Sequence, residues 1–197
     1  MPVKNVFLDV ETTGLYPTKH GIVQIGAYIE IDGAIKEIFN EFIKPFPSDK
    51  VEPSALAVNN LKVEDFVKPN FITPLEAKER FCELLGKYVD RFNKSDKYQF
   101  IGYNSHTFDM QHMRAWFRKC GDKYFGSWFW NPSIDVMLIV AFILRNERHK
   151  LPNFKLNTVC KRLGLAWDET KAHDALYDID MTRAAYHVLQ EKLLKGV

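Results

Sequence analysis

Residues 21–45 read GIVQIGAYIEIDGAIKEIFNEFIKP. Two β-rich runs, 21–31 and 33–45, meet at Asp32-Gly33. That dipeptide suits the positive-φ positions of a tight hairpin, so the runs pair antiparallel. Just upstream, residues 6–16 read VFLDVETTGLY. The apolar run there predicts a buried strand over 3–10 and makes a three-stranded antiparallel meander. Downstream, YQFIGYN (98–104) reads as a fourth strand, and the rest is mostly helical pattern. Antiparallel strands followed by mixed strands and helices predict an α/β fold, a mixed sheet flanked by helices.

Outward from the meander, 45–60 is rich in Pro and turn residues and leads to a short helix with Ser54 as its N-cap. A helix is expected over 74–92, with Thr73 capping and Pro74 in the first position. Residues 109–121 form a helix closed by Gly121, and 155–165 a shorter one stopped by Gly164. The run 133–144 is apolar throughout, so pattern alone does not decide between strand and helix. Residues 145–155 read as a basic loop, and 174–195 as a long closing helix.

The 197 residues fit one domain, 1–197, large enough to bury a core without disulfides. A net charge of +2 gives no strong overall pull on nucleic acid, so any such contact needs a local patch. Cys82, Cys120 and Cys160 lie far apart with no CxxC pair, which fits a reducing compartment. No signal-like or transmembrane run is visible, and the expectation is a cytoplasmic protein without a membrane partner.

Asp9 and Glu11 stand at the end of the first apolar strand with no Lys or Arg beside them. Residues two apart share a strand face, so both acids point the same way as Phe7. Like charges at such a position repel, and a divalent cation bound by hard oxygen ligands would relieve them. Solvated acids at a strand end are the plain alternative. Asp109 heads an apolar helix face with Met113 and Trp116, although an N-cap aspartate is a common structural device. Asp178 is harder to explain structurally. It lies within the closing helix on the stripe of Met181, Thr182 and Ala185, while Arg183 points elsewhere and Asp174 adds repulsion. Asp180 falls on another face and reads as solvated. His173 precedes that helix; next to four acids it suits a general base.

Together, Asp9-Val10-Glu11-Thr12-Thr13-Gly14-Leu15, Asn104 to Phe108-Asp109, and His173-x-Ala175-x-x-Asp178 resemble the DEDDh 3′–5′ exonucleases. These are the DnaQ-like branch of the RNase H-like superfamily, and the three motifs stand in the family's order. The resemblance implies an RNase H-like sheet and a single exonuclease domain. It implies that Asp9, Glu11, Asp109 and Asp178 hold two Mg2+ or Mn2+ ions per active site and that His173 activates water. It also implies that Thr12, Thr13, Gly14 and Leu15, with Asn104 and Phe108, seat the terminal nucleotide. The second motif is one residue longer than the usual His-Asn-x-x-Phe-Asp. It is more similar to that of bacterial exonuclease I, which favours a DNA 3′ end as substrate. Gln24 stands where many relatives carry Glu, outside the metal set.

Other readings stay open: an RNA-directed exonuclease of the same family, or a catalytically idle nucleic-acid-binding module of a polymerase. A polymerase or a second copy of the chain are the protein partners the resemblance allows. Arg114, Arg118 and Lys119, and Arg145, Arg148, Lys150 and Lys155, are candidate phosphate contacts or ordinary solvated faces. Trp116, Trp128 and Trp130 are candidates for base stacking or for packing.

Overall fold

The computed structural model describes residues 2–172 and 174–194. Its sheet has six strands in the order β4-β3-β2-β1-β5-β6. Strands β1 (Lys4–Thr12), β2 (Ile22–Ile31) and β3 (Ala34–Ile43) form the antiparallel meander. At its hairpin Asp32 and Gly33 have φ of 50° and 81°, the conformation the Asp-Gly pair was expected to supply. Strand β5 (Gln99–Gly102) runs parallel to β1, and β6 (Ile134–Asp135) parallel to β5. The sheet is thus mixed, antiparallel then parallel, with β1 in its interior.

Alternation along β1 sorts the two cores. Val6, Leu8 and Val10 face α2 (Pro74–Gly86) and α3 (Asp109–Lys119), where Phe81, Leu85, Met113 and Phe117 are fully buried. Phe7 faces the opposite layer, formed with α4 (Val136–Ile143), α5 (Leu156–Arg162) and α6 (Ala175–Leu194). Its ring meets Tyr186 of α6 edge-on at 5.5 Å. By the same period, Asp9 and Glu11 point toward α6.

Several boundaries differ from expectation. Helix α1 (Pro53–Val58) begins at Pro53 and has Glu52 in the cap position, so Ser54 lies inside it. Thr73 does cap α2, accepting the Glu76 N–H at 3.2 Å, but that helix ends at Gly86 and not at 92. Glycine weakens the helix there, and the chain leaves through shorter-range bonds from Lys87 and Tyr88 to Leu84 and Leu85. The two-residue strand β4 (Phe71–Ile72), parallel to β3, has no pattern long enough to read. The ambiguous run 133–144 holds both elements, β6 and then α4. The basic loop contains a 3-10 turn over Arg145–Lys150.

Candidate active site

Strand β1 pairs with β5 only through Phe7, opposite Ile101. Beyond that point the two strands part, and the gap leaves the Val10 N–H without a strand partner. Asp109 fills it: its Oδ1 accepts that N–H at 3.0 Å. Asp109 therefore does not cap α3, a position held by Phe108; it ties the helix start to β1. Gly102 permits the close turn that follows β5, since a Cβ there would stand 2.6 Å from the Ser105 Cβ and 2.9 Å from the Leu8 carbonyl oxygen.

Helix α6 reaches the same place from the other layer. Gly26 lies opposite Asp9 in the β1–β2 register. A Cβ on Gly26 would approach Ile179 Cδ1 to 2.9 Å and Ala175 Cβ to 3.1 Å. The bare glycine lets the first turn of α6, and Asp178 with it, come against the sheet beside Asp9.

Electrostatics show that the four acids share one field. Burial, followed by the charges of Asp109, Glu11 and Asp178, raises the Asp9 carboxyl well above its ordinary range. Burial, then Asp178, Asp109 and Asp174, pushes Glu11 to about 8. Burial pushes Asp109 to about 7, against the opposing hydrogen bond from Val10. Among the described residues, no three His, Cys, Asp or Glu side chains form a ready-made metal group. The donor set nevertheless fits hard divalent cations, because it is all carboxylate and the charges of Asp109 and Asp178 raise both Asp9 and Glu11. His173 lies outside the described residues.

Two clefts flank the acids. One, of about 320 Å³, is lined by Glu11, Thr12, Gly14, Leu15 and Phe108. The other, of about 530 Å³, is lined by Asp178, Asn104, Tyr103, Phe154 and Trp167. Of the expected nucleotide-seating residues, Thr12, Gly14, Leu15 and Phe108 line the first cleft and Asn104 the second, while Thr13 is fully buried and lines neither. In the first cleft Leu15 is 68% exposed. The threonine hydroxyls are turned to internal work. Thr12 Oγ1 donates to the Gly14 carbonyl at 2.9 Å, and Thr13 Oγ1 donates to the Lys50 carbonyl at 2.6 Å. Beneath them, buried His20 accepts the Tyr16 N–H and meets Glu52 at 3.0 Å. Gly14 is needed above it, because a Cβ would stand 2.6 Å from the imidazole.

A fifth acid escaped the sequence reading. Buried Asp135 accepts the N–H groups of Asn104 at 3.0 Å, His106 at 3.2 Å and Met137 at 3.0 Å. It caps α4 and holds the loop before Asp109, in which Asn104 has a φ of 57°. An Asp immediately before the apolar run VMLIV is a helix-cap signal, and that was the available clue. Of the tryptophans, Trp116 and Trp128 are core residues, and Trp130 is partly exposed. Lys119 is engaged by Asp49 and by the His20 carbonyl.

Comparison with known proteins agrees with this architecture. The RNase_T family model, described as "Exonuclease", matches residues 6–186. A PolC-type DNA polymerase III from Pediococcus pentosaceus is 28% identical over 91% of this chain, which spans only 11% of that polymerase. The 3′-5′ DNA exonuclease Cap18 of Escherichia coli is 29% identical over 96% of this chain and 95% of its own. E. coli exonuclease I, solved with a dT13 oligonucleotide, superposes with a TM-score of 0.77 at 20% identity, covering 98% of this chain and 43% of that one. The same enzyme is also known in a zinc-bound complex with single-stranded DNA. A match running from β1 into α6 takes in every element that brings the acids together, and the chain belongs to the exonuclease family of the RNase H-like superfamily, in its DEDD group.

Proposed function

We propose that this chain is a divalent-metal-dependent 3′–5′ exonuclease that releases 5′-mononucleotides from DNA, preferring single-stranded or frayed 3′ ends. The observation that carries the reading is the mutual field of Asp9, Glu11, Asp109 and Asp178 between two clefts. Four converging anions repel a phosphodiester unless cations intervene. Bound Mg2+ or Mn2+ ions would neutralise the cluster, polarise the scissile phosphate and lower the pKa of water.

The chain's own groups do the positioning. Asp9 and Glu11 present their carboxylates from the rigid interior strand, Asp109 from the start of α3 and Asp178 from α6. Leu15 and Phe108 offer apolar surface for a terminal base beside Glu11. His173 is assigned as the general base by its motif. His173→Ala should cut the rate on the order of 10²–10⁴-fold while leaving metal affinity nearly unchanged. The DNA preference follows the second motif, the DNA exonuclease activity named for Cap18 and the dT13 oligonucleotide bound to exonuclease I.

The test is digestion of end-labelled single-stranded DNA, duplex DNA and RNA side by side, with magnesium or with EDTA. Stepwise release of 5′-mononucleotides from the single-stranded DNA, abolished by EDTA, is expected. Equal release in EDTA would overturn metal dependence, and faster release from RNA would overturn the substrate assignment.

A further inference from the structure

At the end of the sheet away from the carboxylates, the segments before β5 and after α3 enclose a cleft of about 500 Å³. It is lined by Arg91, Phe92, Lys94, Lys97, Lys123 and Tyr124, and among the described residues no acidic side chain is in its wall. Phe92 is 82% exposed and Tyr124 64%, which puts two aromatic rings at one cleft. Three acids flank the cleft: Asp96 is paired with Lys4, Asp122 faces Lys78 at 3.8 Å and accepts the Tyr124 N–H at 2.7 Å, and Asp90 accepts the Phe92 N–H at 3.0 Å. Among the described residues, none of the four lining cations is in an ion pair. Arg91 lies 5.2 Å from the Phe92 ring, and Lys97 lies 5.7 Å from Trp130 and donates to the Gly126 carbonyl at 2.6 Å. Cations without a carboxylate partner beside exposed aromatic rings match a strand of phosphates and bases better than an acidic protein surface, which has no planar groups to stack.

Helix α3 touches both regions, through Asp109 at the acids and Arg114 beside the cleft segment. Helix α3 starts at Asp109 and spans about 16 Å at 1.5 Å per residue. Gln111, Arg114 and Arg118 recur along it at positions i, i+3 and i+7, on one polar face. Arg114 lies 5.3 Å from the ring of Phe125, the neighbour of Tyr124 and Gly126 in the cleft segment. We propose that the Arg91–Lys97 and Lys123–Ser127 segments form a second contact for the single-stranded nucleic acid whose 3′ end sits at the carboxylates. The proposal rests on the nucleic-acid reading above and adds a hold on the strand upstream of the cut.

Two exposed double variants test it: Lys94→Glu with Lys123→Glu, and Phe92→Ala with Tyr124→Ala. The substrates are oligodeoxythymidylates of about 4 and about 16 nucleotides, the range of single-strand site sizes. Wild type should show a lower KM for the longer strand. Each variant should raise that KM roughly tenfold, leaving kcat and the KM of the short strand as in wild type. Binding of the fluorescein-labelled long strand, followed by anisotropy in EDTA, should lose about 1.4 from its salt slope in the charge variant. It should keep its slope in the aromatic variant.

An unchanged KM for the long strand in both folded variants overturns the proposal, as does equal weakening of the short and long strands. Stronger displacement of the labelled strand by polyglutamate than by unlabelled oligodeoxythymidylate would reassign the surface to an acidic protein. Should wild type hydrolyse no oligonucleotide, the functional reading fails, and the anisotropy titration still decides the second contact.

Discussion

Asp135 accepts three backbone N–H groups while buried, and one of its bonds fixes the left-handed Asn104. Asp135→Asn keeps the size but replaces one acceptor oxygen with a donor, so one bond must be lost. Groups that orient a site through a neighbour typically cost 10–100-fold when altered. We predict a kcat loss of that size with a KM change of less than threefold, measured beside a thermal melt. A variant with wild-type kcat and lowered Tm would mark Asp135 as a helix cap alone. Asp178→Asn should abolish hydrolysis yet leave the metal-free fold as stable or more so, because it removes one charge from the shared field. Exposed Asp180 is the control and should tolerate Asn. These residues also show what could be read beforehand. Asp178 stood out because a helix stripe of Met181, Thr182 and Ala185 offers it no local cation. Asp135 did not, since locally it is only a helix cap for Met137, and its other two partners lie about 30 residues away in sequence. The inward turn of the Thr12 and Thr13 hydroxyls depends on Gly14 and Lys50 carbonyls that only the folded loop brings near.

At the scale of elements, the approach of α6 to β2 sets where Asp178 stands. Gly26→Ala would place a methyl 2.9 Å from Ile179 Cδ1 and 3.1 Å from Ala175 Cβ. Overpacking of this kind costs about 1–3 kcal/mol, and here it pushes α6 away from Asp9. Activity should therefore fall together with Tm. Gly33→Ala separates the two effects: φ is +81°, but among the described residues nothing lies within 4 Å of its Cβ. It should lose about 1 kcal/mol of stability through backbone strain and keep full activity. Melts and single-turnover rates on both variants check this; a fully active Gly26→Ala would dissociate helix packing from the site. The meander was legible because period-two pattern and the Asp-Gly turn act locally. Strand β4 and the β6–α4 boundary were not: two residues carry no period, and VMLIVAFI is apolar in every register. Tertiary pairing with β3 and β5 decides both.

For the whole molecule, two charged groups of opposite behaviour sit at opposite ends of the sheet. Asp9, Glu11 and Asp109 have folded pKa values raised above the ordinary 3.9–4.3, the latter two to about 8 and about 7. Between pH ~4 and ~8 the folded state thus binds protons that the unfolded chain has released. Stability then falls as pH rises through that window. Glu30, beside Asn5 at the other end, behaves inversely. Burial alone would raise its pKa, but hydrogen bonds from Asn5, Arg183 and His187 hold it below its usual value. Its contribution is present above the ordinary glutamate range and is lost on acidification. Metal-free protein should therefore be most stable near pH ~5, weakening on either side. Buried His112, whose pKa burial lowers, adds a rising limb near neutrality, so a single curve does not isolate the acids. The difference between two curves does, because His112 is common to both. Thermal melts from pH 4 to 9, in EDTA and in excess magnesium, should diverge steadily above pH ~5. Magnesium should raise Tm most at high pH, where the carboxylates are ionised and bind it, and the gain should grow with its concentration. Curves that stay parallel from pH 5 to 9 would mean that the four carboxylates neither repel one another in the fold nor gather a cation, and the metal assignment would go with them.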